Sequence, residues 1–223
     1  MMAIILAAGR GERLKPITDK IPKSLVKIDG ETLLERHFKM LIQAGISKVI
    51  INLGWLGDQI IDYVGSGKKF GVKVIYSPEE NQILETGGGI VRAMPLLGSE
   101  PFWVINADIF TDFKLPIIKL KPNILGHLVL VKNPKYRLSG DFNLQNNLIK
   151  REGLLPFTFS GMAIYDPNLF SKQNIRRFSV VPLLYNMVDK KSLSGSIHSG
   201  SWYDIGTPER LKELDRQIRD SSG

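Results

Sequence analysis

The chain has 223 residues, 43% hydrophobic and 23% charged, a balance that excludes intrinsic disorder and suffices to bury one core. Zero cysteines exclude disulfides, thiolate metal centres and a cysteine nucleophile, and no apolar run approaches the roughly 20 residues of a membrane helix. Thirty Lys and Arg against 22 Asp and Glu give a formal charge of +8, which suits an anionic ligand, but the basic residues are scattered and form no stripe for nucleic acid. The expectation is a single cytoplasmic domain over 1–223, with no membrane and no nucleic-acid partner.

In chain order, Ala3 to Ala8 reads as a buried strand that ends in glycines. Thr32-Leu33-Leu34-Glu35 is a capping box, and Leu34, Phe38 and Leu41 then share one helical face until Gly45. A strand at Val49 to Leu53, a helix from Gly57 to Val64 and a strand at Val72 to Tyr76 follow. Thr86 is expected to cap a short helix through Met94, ended by Pro95, before a strand from Phe102 to Ala107. This βαβαβα rhythm predicts a parallel sheet with helices on both faces and a ligand crevice beyond the carboxyl ends of the strands.

After Thr111 the pattern changes to strand-like pieces at Leu125 to Val131, Asp141 to Leu144 and Phe157 to Tyr165, separated by Gly, Asn and Pro turns. They predict a small antiparallel insertion over about 112–165, flanking the crevice. A helix near Val180 to Val188, a strand at Ser201 to Ile205 and a closing helix with Thr207 as N-cap and Pro208 at N1 complete the chain. The predicted class is α/β, a Rossmann-like three-layer sandwich with a mainly parallel sheet.

The first strand runs into Leu6-Ala7-Ala8-Gly9-Arg10-Gly11-Glu12-Arg13-Leu14-Lys15-Pro16-Ile17-Thr18. Leu14 stands where a dinucleotide fingerprint needs its third glycine, and Gly67-Lys68 precedes Lys69 where Walker A needs Ser or Thr. What remains is a glycine loop whose backbone N–H groups can approach a phosphate, with cations beside it. The full string, continued through Ile21-Pro22-Lys23-Ser24-Leu25-Val26, resembles the signature of the sugar-1-phosphate nucleotidyltransferases. The likeness extends to Ile51-Asn52-Leu53-Gly54-Trp55-Leu56-Gly57, Glu85-Thr86-Gly87-Gly88-Gly89-Ile90, Val104-Ile105-Asn106-Ala107-Asp108, Phe159-Ser160-Gly161 and Trp202-Tyr203-Asp204-Ile205-Gly206-Thr207-Pro208.

The resemblance implies a nucleotide site at Leu6, Ala7, Ala8, Gly9, Gly11, Glu12, Arg13, Lys23, Thr86 and Gly87. Arg13 would neutralise the departing pyrophosphate, Lys23 would contact the phosphates, and Thr86 and Gly87 would face the base. Asn106, Gly140, Asp141, Ser160 and Gly161 would line the sugar side, and Asp108 and Asp204 would bind Mg²⁺. The implied substrates are UTP and a sugar 1-phosphate, with N-acetylmuramic acid 1-phosphate favoured as acceptor and peptidoglycan recycling as the setting. A glucose or mannose 1-phosphate with UTP, GTP, dTTP or CTP is the alternative. The oligomeric state is expected to be a monomer or small homo-oligomer.

The chemistry asks for the same residue types. Nucleotidyl transfer is in-line displacement at phosphorus, leaving the protein mainly to position the reactants and offset charge. Asp108 and Asp204 each end an apolar strand, so a parallel sheet would deliver both to one rim, and hard oxygens without His or Cys suit Mg²⁺. A metal-dependent glycosyltransferase would need Asp-x-Asp, which Asp108-Ile109-Phe110 breaks; a non-catalytic nucleotide-binding regulator would not need the Arg13, Lys23, Asp108 and Asp204 set. An acceptor with a lactyl carboxylate also calls for a cation, with Lys27, Lys132, Arg137 and His198 as candidates. His37, beside Leu33, Leu34 and Leu41 on its helix, reads as a packed histidine.

Overall fold

The computed structural model describes residues 1–79 and 82–221. In chain order its elements are β1 (Ala3–Leu6), β2 (Lys27–Ile28), β3 (Glu31–Thr32), α1 (Leu33–Gln43), β4 (Lys48–Leu53), α2 (Gly57–Val64), β5 (Lys73–Pro78), α3 (Glu85–Leu97) and β6 (Phe102–Asn106). The second half contributes β7 (Ile109–Thr111), β8 (Gly126–Lys132), β9 (Asn143–Gln145), β10 (Leu148–Lys150), β11 (Phe157–Tyr165), α4 (Val181–Asp189), β12 (Leu193–His198), β13 (Trp202–Asp204) and α5 (Pro208–Ser221).

Strands buried on both faces carry near-continuous apolar runs, and β1, β4, β5 and β6 pair in parallel as those runs predict. Ile5, Ile51 and Ile105 point to the face covered by α1 and α2. Their neighbours Ile4, Ile50 and Val104 point to the face covered by α3 and α4. This alternation makes a three-layer sandwich around one nine-stranded sheet of order β5-β4-β1-β6-β11-β8-β12-β10-β9.

The antiparallel component is built into the same sheet. β11 runs antiparallel to both β6 and β8, while β12, which carries no strong strand pattern, returns parallel to β8. A separate ribbon of β7 and β13 crosses the rim. Around it, Leu14, Val26, Ile28, Ile205 and Leu214 form a third apolar cluster that anchors α5.

The expected capping box is present, with Thr32 accepting from the Glu35 N–H and Glu35 accepting from Thr32. Pro95 does not end α3. The proline forfeits one backbone hydrogen bond in the last turn, but Leu97 remains 3% exposed against the core, and the helix stops at Gly98 with φ 79°. Thr86 is not the helix cap either: its hydroxyl accepts the Val180 N–H at 2.9 Å, tying the start of α3 to the start of α4.

Candidate active site

The carboxyl ends of β1, β4 and β6 open into one cavity. Leu6, Ala7, Ala8, Gly9 and Gly11 follow β1 along its wall, and Asn106, Ala107 and Asp108 follow β6. Thr86 and Glu85 close the opposite side from α3. The glycine loop stays close to the sheet because β4 is followed by Gly54, where a Cβ would stand 2.5 Å from the Ala8 carbonyl oxygen. Gly11 has φ +63° and starts the short turn Glu12–Leu14, a conformation that favours glycine.

Lys23 reaches the cavity from the turn Lys23–Leu25, and its ammonium lies 2.6 Å from Asp108 Oδ2. Both side chains are mostly buried, at 15% and 26% exposed, so the pair is screened less than a surface ion pair. Behind it, His37 is 2% exposed and donates Nε2–H to the Ile109 carbonyl, at 2.9 Å. Burial pushes its pKa down to about 4, so the ring is neutral and fills space as the sequence predicts.

Asp204 joins this region by the backbone. It stands opposite Ile109 in the β7–β13 ribbon, and the next residue, Ile205, donates its N–H to the Asp108 carbonyl oxygen. Its carboxylate faces a neighbouring depression rather than the cavity wall formed by Asp108. There Oδ1 accepts from Tyr136 OH at 2.5 Å and Oδ2 pairs with Arg210, also at 2.5 Å. The Arg210 guanidinium in turn lies 3.8 Å from the Tyr136 ring centre. Arg13 approaches from the glycine loop, its guanidinium 3.5 Å from where a Cβ on Gly206 would stand.

The remaining expected residues divide. Gly161 lies against Asn106, since a Cβ there would be 2.8 Å from Asn106 Nδ2, and its φ is +81°. Gly140 and Asp141 are laced to β11: the Asp141 N–H donates to the Phe157 carbonyl, and its Oδ2 accepts the Phe159 N–H at 2.9 Å. Three expectations change in orientation. Glu12 is exposed and paired with Lys15 at 2.9 Å, drawn outward by the nearer cation. Gly87 packs on Phe178, whose ring would be 2.4 Å from a Cβ there, and donates its N–H to the Phe178 carbonyl. Ser160 is fully buried; its hydroxyl accepts the Met162 N–H and its carbonyl accepts from Trp202 Nε1.

Two of the candidate carboxylate readers are already engaged, Arg137 with Asp141 at 2.9 Å and His198 with Asp112 at 2.9 Å. Sequence reasoning missed Glu79, a cavity-lining carboxylate only 6% exposed. Burial pushes its pKa up, and hydrogen bonds from the Leu84 N–H and Asn52 pull it back. It also missed the partners of Asp204: Tyr136, which comes from 68 positions away, and Arg210, which reaches back from the first turn of α5.

A glycine loop on the carboxyl rim of a parallel sheet, with a lysine–carboxylate pair facing it, defines a nucleotide-binding α/β protein. The family model described as nucleotidyl transferase matches residues 2–120. The N-acetylmuramate alpha-1-phosphate uridylyltransferase of Neisseria meningitidis serogroup B is 43% identical, with 96% of each chain covered. The enzyme of the same name from Caulobacter vibrioides is 25% identical over 99% of this chain and 98% of its own. Among solved structures, a putative glucose-1-phosphate thymidylyltransferase from Bacillus anthracis superposes with a TM-score of 0.84 at 22% identity, covering 99% and 96% of the two chains. The chain belongs to the nucleotidyl transferase family.

Proposed function

We propose that this protein transfers UMP from UTP to N-acetylmuramic acid 1-phosphate, giving the UDP-sugar and pyrophosphate. The supporting observation is the shared cavity: the glycine loop, Lys23 with Asp108, and Thr86 at the base side all line it. The transferred uridylyl group and the acceptor are those in the name of the relative that is 43% identical. Peptidoglycan recycling in the cytoplasm is the setting this reading implies.

An oxygen of the acceptor phosphate attacks the α-phosphorus of UTP, and the bond from that phosphorus to the bridging oxygen breaks. Pyrophosphate leaves with the bond electrons. Backbone N–H groups of Ala8 to Gly11 hold the phosphates, and Lys23 and Arg13 offset the charge that grows on the leaving group. Asn106 and Gly161 orient the sugar beside Asp141.

Asp108, in the turn between β6 and β7, and Asp204, at the end of β13, fit Mg²⁺ by the chemistry of their donors, two carboxylates with no His or Cys. Asp108 Oδ1 is open among the described residues, whereas both oxygens of Asp204 are engaged by Tyr136 and Arg210. When bound, the ion supplies charge neutralisation and orientation of the phosphates.

The test is pyrophosphate release from four nucleoside triphosphates against a panel of sugar 1-phosphates. UTP with N-acetylmuramic acid 1-phosphate should be fastest, and chelation of divalent metal should stop it. Faster turnover of GTP with mannose 1-phosphate, or of another pair, would replace this assignment.

A further inference from the structure

The floor of the cavity contains a relay of buried hydrogen bonds that the reaction as described leaves unused. Asn52, at the end of β4, is 2% exposed and accepts the Ala7 N–H on Oδ1 at 2.6 Å. Its Nδ2 donates to Glu79 Oε1 at 2.7 Å. The other oxygen, Glu79 Oε2, accepts the Leu84 N–H at 2.6 Å. Three chain segments, separated by dozens of residues, are thus joined through two side chains: the glycine loop after β1, the end of β4 and the entry to α3. Helix α3 seals the relay from its own side, because a Cβ at Gly89 would stand 2.6 Å from Glu79 Oε1 and 2.7 Å from Asn52 Nδ2.

The polarity of the relay is determined. Both groups that bond Glu79 are N–H donors, so both of its oxygens accept, an arrangement the carboxylate form serves best. Burial is the largest influence and pushes the Glu79 pKa up, because an unpaired charge there would be costly; the two donors and the positive charge of Arg92 pull it back toward the carboxylate. Glu79 also lines the cavity between the loop that carries Ala7 and the residues Glu85 and Thr86. Its position couples the wall assigned to the phosphates with the wall assigned to the base.

We propose that Glu79 is a positioning residue for the nucleoside triphosphate: acting through Asn52 on Ala7 and directly on Leu84, it sets the spacing between the phosphate wall and the base wall of the cavity. The proposal rests on the nucleotidyl-transfer reading above and adds to it a residue that acts on nucleotide affinity without touching the reacting atoms.

The relay can be reversed, and that supplies its test. Glu79→Gln leaves one acceptor for two donors, and Asn52→Asp sets two carboxyl groups face to face, which repel unless they take up a proton the parent does not need. Together the two substitutions restore every bond: the carboxylate introduced at position 52 accepts from the Ala7 N–H and from the amide introduced at position 79, and the oxygen of that amide accepts from the Leu84 N–H. Triphosphate affinity is measured by titration calorimetry without acceptor, and KM values are measured for both substrates. Each single variant should weaken UTP binding about tenfold or more, as expected for about 1.4 kcal/mol, and leave the sugar phosphate KM within about twofold. The double variant should return to within about threefold of the parent, equivalent to less than about 1 kcal/mol.

A relay that merely stabilises the fold would lower the melting temperature of the single variants without moving UTP affinity, and that result overturns the proposal. So does a folded double variant that binds UTP no better than the weaker single variant. Should a single variant fail to fold, the double variant decides alone, by the same comparison with the parent. If the parent binds a different triphosphate, the substrate assignment fails, and the same variant ratios measured with that triphosphate still decide the role of Glu79.

Discussion

The two sides of the rim are held together by different kinds of interaction. On the side of β4, β5 and α3, contacts are buried, short and to backbone: Asn52 and Glu79 are 2% and 6% exposed, and their partners are the N–H groups of Ala7 and Leu84. On the side of β8, β11 and β13, backbone contacts such as Trp202 with Ser160 are joined by pairs of partly exposed side chains. Arg137 with Asp141 and Tyr136 with Asp204 involve side chains that are between about a quarter and a half exposed. Buried relays cost their full desolvation when broken, while exposed ion pairs contribute about 0–1 kcal/mol and exchange readily for another charge. The first wall is therefore preformed, and the second is closed on itself by contacts that an anionic or metal ligand can take over.

Arg13 stands between the two, on the glycine loop but beside Gly206 of the second wall. It makes no ion pair among the described residues, so its charge is available to a ligand. Arg13→Ala should lower kcat on the order of 10² to 10³, the loss typical of one transition-state donor, in a steady-state assay of pyrophosphate release. Unchanged turnover would remove Arg13 from the mechanism and leave the two walls without a shared cation.

The packing of the two sides differs in the same sense. A Cβ on Gly88 would stand 2.1 Å from the Arg176 carbonyl oxygen, whereas Gly153, at φ +72°, has open space around it. Gly88→Ala should cost about 1–3 kcal/mol through overpacking, and Gly153→Ala about 1 kcal/mol through backbone conformation alone. Thermal unfolding should show the first melting several degrees lower than the second, since about 1 kcal/mol corresponds to about 2–4 °C at this size. Equal melting temperatures would mean that α3 yields more easily than its contacts imply.

Legibility in the sequence follows this division. Helix α2 and strand β11 occupy the residues the pattern predicts, because each is bounded by Gly or Pro turns and carries one clear period. The glycine loop, Asn106 and Asp108 come together because each ends or follows a strand whose partners are fixed by parallel order, and Lys23 joins them from the turn ahead of the separate β2–β3 hairpin. Strand β12 is different. Leu193-Ser194-Gly195-Ser196-Ile197-His198 has little strand propensity, and it is a strand because Gly195 fits under Ile149 while Ser194 and Ser196 bond the two nitrogens of His127. Glu79 gives no local signal either; its role lies in donors on β4 and α3 that only folding brings near. The same holds for Tyr136, which meets Asp204 across 68 positions.

Tyr136 carries the smallest of the expected effects and separates the two walls most directly. Its hydroxyl holds Asp204 Oδ1, and its ring, about half exposed, lies against Arg210. Tyr136→Phe keeps the ring contact with Arg210 and removes only the hydrogen bond, leaving one Asp204 oxygen open. If Asp204 is a metal ligand, divalent-ion binding should tighten about two- to fivefold, the range of an exposed polar pair worth about 0.2–1 kcal/mol. Titration of Mn²⁺ followed by electron paramagnetic resonance reads this without turnover, and UTP affinity should stay at the parent value because the relay through Glu79 is untouched. Weaker ion binding in Tyr136→Phe would mean that the hydroxyl orients Asp204 for the metal, and the second wall would then be as preformed as the first.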